Sequence, residues 1–174
     1  MIDFEKLDYL KFGNDRQRSA YRTLTEHKIF EQLIEFSPIL TGTIPINIDI
    51  AESDLDIICY CKDLNDFSIR LTNLFIEEQG FQLKEVFIND EKTVIANFYL
   101  DQFEIEIFGQ NTPTKNQNSF KHMLIEHAIL QKMGENFRQE IITLKQAGLK
   151  TEPAFAKLLG LSGDPYKAIM NFNV

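Results

Sequence analysis

Tryptophan is absent from this 174-residue chain, cysteine occurs only twice, and Lys plus Arg (18) fall well short of Asp plus Glu (26). There is also no uninterrupted run of the ~18 apolar residues that a membrane-crossing helix needs, which excludes an ordinary transmembrane segment. The N-terminus, Met1-Ile2-Asp3-Phe4-Glu5, lacks a basic stretch followed by an apolar one, so no signal peptide is expected. Cys59 and Cys61 stand two apart in a β-like run and would share one face of a strand. That is a poor geometry for a disulfide, and no further cysteine exists to build a thiolate zinc cage. Buried, reduced thiols in a cytoplasmic protein are the expectation. The formal charge of −8 argues against bulk DNA binding, which relies on Lys and Arg neutralising phosphates. A local basic groove remains compatible with it.

What is present is the balance of a globular protein: 44% hydrophobic and 25% charged residues, with 15 Phe to fill a core. The length suits one domain, or a core with a helical annex. Asp15 to Phe36 reads as a helix from the spacing of Tyr21, Leu24, Phe30, Leu33 and Ile34, stopped before Pro38. Leu55 to Cys61 is rich in β-favouring residues and reads as a strand. Leu64, Phe67, Leu71, Leu74 and Phe75 make a helical stripe that Gly80 is expected to close. Three alternating runs follow, Phe81–Ile88, Thr93–Leu100 and Phe103–Phe108, with Asn89-Asp90 as a turn signal between the first two. They predict an antiparallel meander. From Asn116 the pattern turns helical. Thr151-Glu152-Pro153 and Asp164-Pro165 look like helix starts with a capping side chain near a proline. The expected layout is an α+β fold, with a mixed α/β core over residues 1–112 and a helical region over 113–174 packed on it as a single structural unit.

Chemistry concentrates at Gly42-Thr43 and Asp54-Leu55-Asp56-Ile57. Asp54 and Asp56 are i and i+2 at the head of a strand, so their carboxylates share a face roughly 6–7 Å apart at the backbone. Two hard oxygen donors so placed suit Mg²⁺ or Mn²⁺, which takes one or two carboxylates plus substrate phosphates. Gly42 lets the backbone approach a phosphate, and Thr43 offers a hydroxyl and an N–H. Glu104 and Glu106 alternate with Phe103, Ile105 and Ile107, so both face one side of a later strand. An Asp-apolar-acid-apolar string alone arises by chance roughly 0.3 times in so acidic a chain; adding the upstream Gly and small residue brings this to about 0.01.

These residues resemble the signature of the DNA polymerase beta-like nucleotidyltransferases. The stretches Leu40–Ile46, Ile48-Asp49-Ile50, Ser53–Cys59, Phe103–Gln110 and Gly163–Tyr166 resemble one uncharacterised bacterial family with that fold. The resemblance spans nearly the whole chain. It implies that Asp54 and Asp56 bind the metal bridging the nucleotide phosphates, and that Gly42 and Thr43, with Ser53 beside them, contact those phosphates. Glu106 by preference, Glu104 otherwise, would complete the metal site or take the acceptor's proton. Many members carry Gly-Gly or Gly-Ser where this chain has Gly42-Thr43, and Asp as the third acid.

Other residues allow two readings. His122 and Glu126 are four apart on one helix, an exposed pair or a substrate contact sharing a proton. His127 falls on an apolar stripe, as a hydrogen-bonded core histidine would. Arg16, Arg18 and Arg22 either reach a triphosphate or pair with acids on a solvated face. Lys150, beside a helix start, is the better phosphate candidate than Lys121. The function so implied is a metal-dependent nucleotidyltransferase moving an NMP from an NTP to an acceptor hydroxyl, on a small molecule or a protein, or at an RNA end. The alternative is a catalytically silent nucleotide-binding regulator or antitoxin-like partner on the same fold.

Overall fold

The computed structural model describes residues 2–88 and 90–173. Met1, Val174 and Asn89 lie outside them, and with Asn89 half of the turn signal between the first two strands of the meander. The first long helix, α1 (Asp15–Glu26), begins with a reciprocal cap. The Asn14 side chain accepts from the Gln17 amide (2.8 Å), and the Gln17 side chain accepts from the Asn14 amide (3.0 Å). The single helix expected over 15–36 is broken. Lys28 takes a left-handed conformation (φ 54°), and the chain continues as a short α2 (Ile29–Gln32) and a 3₁₀ turn at Ile34–Phe36. The break redirects the chain so that Ile29, Leu33 and Phe36 are buried, while Ile34 stays 71% exposed.

Five strands follow among the described residues: β1 (Ile39–Thr41), β2 (Leu55–Tyr60), β3 (Gln79–Ile88), β4 (Glu91–Leu100) and β5 (Phe103–Gln110). They form one sheet in the order β1-β2-β5-β4-β3. The meander β3–β4–β5 is antiparallel as its alternation predicts, whereas β2 joins β5 in parallel. Helix α3 (Leu64–Phe75) makes the crossover; Asp63 caps it by accepting from Asn65 and Asp66. Gly80 does not close this helix. It lies within β3 at φ +73°, where the register with β4 slips.

The sheet has two unlike faces. Leu55, Ile57, Cys59, Ala96, Phe98, Ile105 and Ile107 point into a core with Leu24, Phe67, Leu71 and Phe75 of α1 and α3. Their neighbours along each strand, among them Asp56, Asn97, Glu104 and Glu106, point the other way. The helices α4 (Asn118–Met133), α5 (Glu135–Gln146), α6 (Thr151–Leu159) and α7 (Pro165–Met170) build a second core around Phe155, Ile141 and Ile129. That core meets the sheet at Ile39 and Ile58, and leaves the acidic part of the face beside open space. Both cysteines are free and buried. No helix among the described residues is long and apolar enough to cross a membrane.

Candidate active site

Strand register sets the carboxylates side by side. Asp56 is the parallel partner of Glu106 and the antiparallel partner of Thr41, and Glu106 pairs across with Asn97. Glu104 lies one same-face step further down β5, opposite Tyr99. The Asn97 side-chain amide donates to Glu104 Oε1 (3.3 Å) and Glu106 Oε2 (3.2 Å), tying the two glutamates together. Tyr99 also donates to Glu104 Oε2 (3.4 Å). Glu106 thus keeps one carboxylate oxygen free, and it shares with Asp56 the wall of a hollow of about 390 Å³.

Gly42 stands directly against Asp56. Its φ of +80° belongs to the left-handed region, and a Cβ built there would lie 2.1 Å from Asp56 Oδ2. Glycine is therefore required twice over, for the backbone turn and to leave room for the carboxylate. Thr43 Oγ1 lies 3.1 Å from Ser53 Oγ, which accepts from the Ile50 amide.

The irregular segment between Gly42 and Asp54 has few backbone partners of its own, and side chains from two helices supply them. Gln17 donates to the carbonyls of Ile44 (2.8 Å) and Pro45 (3.2 Å). Arg16 donates to Ala51 and Ser53 (3.0 and 2.7 Å) and pairs with Asp49 at 3.3 Å. Arg138 donates to Ile46 and Asn47, and Lys145 to Ile48 (2.8 Å). Four side chains thus pin one loop, and the loop fixes where Asp54 enters the sheet. Arg16 accordingly braces the site, while Arg18 pairs with Asp15 and Arg22 reaches Ser19.

Electrostatics follow from the crowding. Burial raises the Asp56 pKa well above its ordinary value, and the charges of Asp54, Glu106 and Glu152 raise it further; Lys145 opposes them. Asp54 is raised by burial and by Glu104. Burial brings Lys145 down to about 8, held up in part by Asp49, Glu126, Asp54 and Asp56. Carboxylates this close, with one buried ammonium among them, form an oxygen-donor set short of positive charge. Such a set fits a hard divalent cation of the Mg²⁺ or Mn²⁺ kind.

A cleft of about 580 Å³ joins the site to the helical region, lined by Gly42, Thr43, Ser53, Asp54, Asp56, Lys145 and Lys150 with Ser119, His122, Glu126 and Glu152. Lys150 is the N-cap residue of α6, without a side-chain cap bond, so the cap expected near Thr151 is not formed; Asp164 does cap α7. His122 and Glu126 are buried, which overturns their reading as an exposed pair. His127 packs edge-on to Phe4 at 5.0 Å, and its Nδ1 has no hydrogen-bond partner.

This sheet with its acidic face is similar in fold to solved nucleotidyltransferases. A cytoplasmic RNA terminal U-transferase superposes with a TM-score of 0.54 at 12% identity, over 82% of this chain and 47% of that one. The Cid1 poly(U) polymerase bound to Mg 3′-dATP gives 0.56 at 13%, over 93% and 53%. A chain of the GLD-2/RNP-8 complex gives 0.54 at 14%, over 90% and 63%. The protein therefore has a nucleotidyltransferase fold, and it spans about half the length of the first two of these structures. Residues 22–172 match the family described as a domain of unknown function, DUF4269, and the chain belongs to that family. No curated protein matches it by sequence.

Lys145, Arg138, Asn97 and Glu152 were not singled out from sequence. Lys145 did carry a signal, since Phe137, Ile141 and Lys145 recur every four residues and all three are buried. A lysine continuing an apolar stripe marks a buried cation.

Proposed function

We propose that the protein is a metal-dependent nucleotidyltransferase, moving a nucleoside monophosphate from an NTP to an acceptor hydroxyl. The observation that carries this reading is the side-by-side placement of Asp56 and Glu106, with Asp54 at the strand head and Gly42 against the Asp56 carboxylate. Asp54, Asp56 and Glu106 would hold the divalent ion, which offsets negative charge on the transferred phosphoryl group and on leaving pyrophosphate. Gly42, Thr43 and Ser53 bind the phosphates through backbone and hydroxyl groups, and Lys145 and Lys150 face them across the cleft. The acceptor oxygen forms its bond to the α-phosphorus as the α–β bridging P–O bond breaks. Its proton passes to water or, where Glu106 is not a ligand of the ion, to the free oxygen of Glu106 on the wall of the hollow of about 390 Å³. Residues 1–112 supply the carboxylates and the Gly42-Thr43 turn, and 113–174 supply Lys145 and Lys150 on the other wall of the cleft.

The acceptor is a hydroxyl on a small molecule or a protein, or the end of an RNA, the last supported by the RNA terminal U-transferase of similar fold. The test is a panel of four NTPs with Mg²⁺ or Mn²⁺, reading pyrophosphate release and mass added to the protein, to small alcohols or to RNA oligonucleotides. Pyrophosphate should appear with metal and fall to background in Asp54→Asn and Asp56→Asn, both of which keep the fold. Retained activity in both variants removes the site. Thermal stabilisation by NTP without pyrophosphate release supports the silent-binder alternative instead.

A further inference from the structure

The helical wall of the cleft carries a second set of donors that the transfer reaction does not use. His122 and Glu126 lie one turn apart on α4, and Glu152 is the second residue of α6. One ligand atom from each lies within 4.8 Å of the others. Glu126 is only 4% exposed and its Oε1 has no hydrogen-bond partner; His122 is 8% exposed and its Nδ1 has none. Buried polar atoms normally find partners, so two orphaned atoms in one cluster on a cleft wall call for a missing one. The buried cation of this wall, Lys145, donates to the Ile48 carbonyl at 2.8 Å and to neither of the two orphaned atoms.

We propose that His122, Glu126 and Glu152 bind one divalent transition-metal ion of the zinc class. Ligands to such an ion sit at about 2.0–2.2 Å, hence roughly 3–4 Å from one another, which small side-chain rotations reach from the observed spacing. Imidazole as a donor disfavours Mg²⁺ and Ca²⁺, which take oxygen ligands, and favours zinc, cobalt or iron. The ion links α4 to α6, and three protein ligands leave a coordination position open to the cleft. This site shares no ligand with Asp54, Asp56 and Glu106, so the two assignments stand or fall separately.

Co²⁺ is the probe, because its visible absorption reports coordination. The full chain, freed of metal by a chelator, is prepared as an Asp54→Asn, Asp56→Asn double variant to remove the sheet site. It should bind one equivalent of Co²⁺ with d–d bands and show an upward thermal shift. Adding His122→Gln should weaken binding at least tenfold and change the spectrum. Adding Glu152→Gln, at a less buried position, should also weaken it tenfold, which guards against misfolding of the histidine variant. Failure of the double variant to bind Co²⁺, or binding unaffected by both added substitutions, overturns the proposal. Absence of pyrophosphate release by the unsubstituted chain given NTP and Mg²⁺, with Co²⁺ binding by the double variant intact, refutes the transfer reading alone.

Discussion

Asp56 carries a carboxylate that water no longer fully solvates and that Asp54, Glu106 and Glu152 all push against. In the unfolded chain the same group titrates at an ordinary value of about 3.9. Its folded pKa is higher, so the folded state binds the proton more tightly, and the stability this brings is complete only below the unfolded pKa. It is lost as pH rises through the folded value. Metal-free Asp56→Asn should therefore melt above the parent at about pH 8, by roughly 2–4 °C if about 1 kcal/mol of strain is relieved. The gap should close as pH falls toward about 4. Saturating Mg²⁺ should reverse the order, because the ion stabilises only the chain with the intact carboxylates. Thermal melts of the two proteins across pH, with and without Mg²⁺, check this; a metal-free variant melting below the parent throughout contradicts it. For the same reason Mg²⁺ binding should release protons and weaken in acid, since Asp54 and Asp56 are both raised and must deprotonate to bind. Calorimetric titrations in buffers of different ionisation enthalpy would show the release; heats independent of buffer would count against it.

Strand β5 does two jobs at once, presenting Glu104 and Glu106 on one face and close-packing on the other. At Gly109 a Cβ would fall 2.1 Å from a ring carbon of Phe67, itself edge-on to Phe36 at 4.7 Å. Gly109→Ala should cost roughly 1–3 kcal/mol by overpacking, lowering the urea midpoint with little change in slope. Phe67→Leu in the same chain should recover part of that loss, and strictly additive effects would show that the ring is not the obstacle. Much of this element pattern was legible in the sequence. Period-two alternation placed Glu104 and Glu106 on one face, and the meander followed from three such runs. The break at Lys28 was not legible, because the apolar spacing of residues 15–36 is helical while burial of Ile29, Leu33 and Phe36 dictates a turn. Gly80 looked like a helix stop because glycine at positive φ serves helix ends and strand bulges alike. The parallel pairing of β2 with β5 is long-range, and no local pattern encodes it.

Across the whole molecule, the sheet contributes carboxylates and the helical region contributes cations and a wall. Asp54, Asp56 and Gly42 could be read locally, as a spacing with a chemical reason behind it. Lys145 and Arg138 could not, because their role depends on α5 docking beside the loop after Gly42, some ninety residues earlier in the chain. Burial of His122 and Glu126 likewise follows from α5 and α7 packing on α4 rather than from their own helix. The most direct test of the account is crystallographic: grow crystals with Mn²⁺ and a non-hydrolysable NTP, and measure anomalous scattering. The account predicts an Mn²⁺ peak bounded by Asp54, Asp56 and Glu106, with the triphosphate lying along Gly42 and Thr43. A triphosphate bound elsewhere, or Mn²⁺ density absent from those three carboxylates, would contradict it.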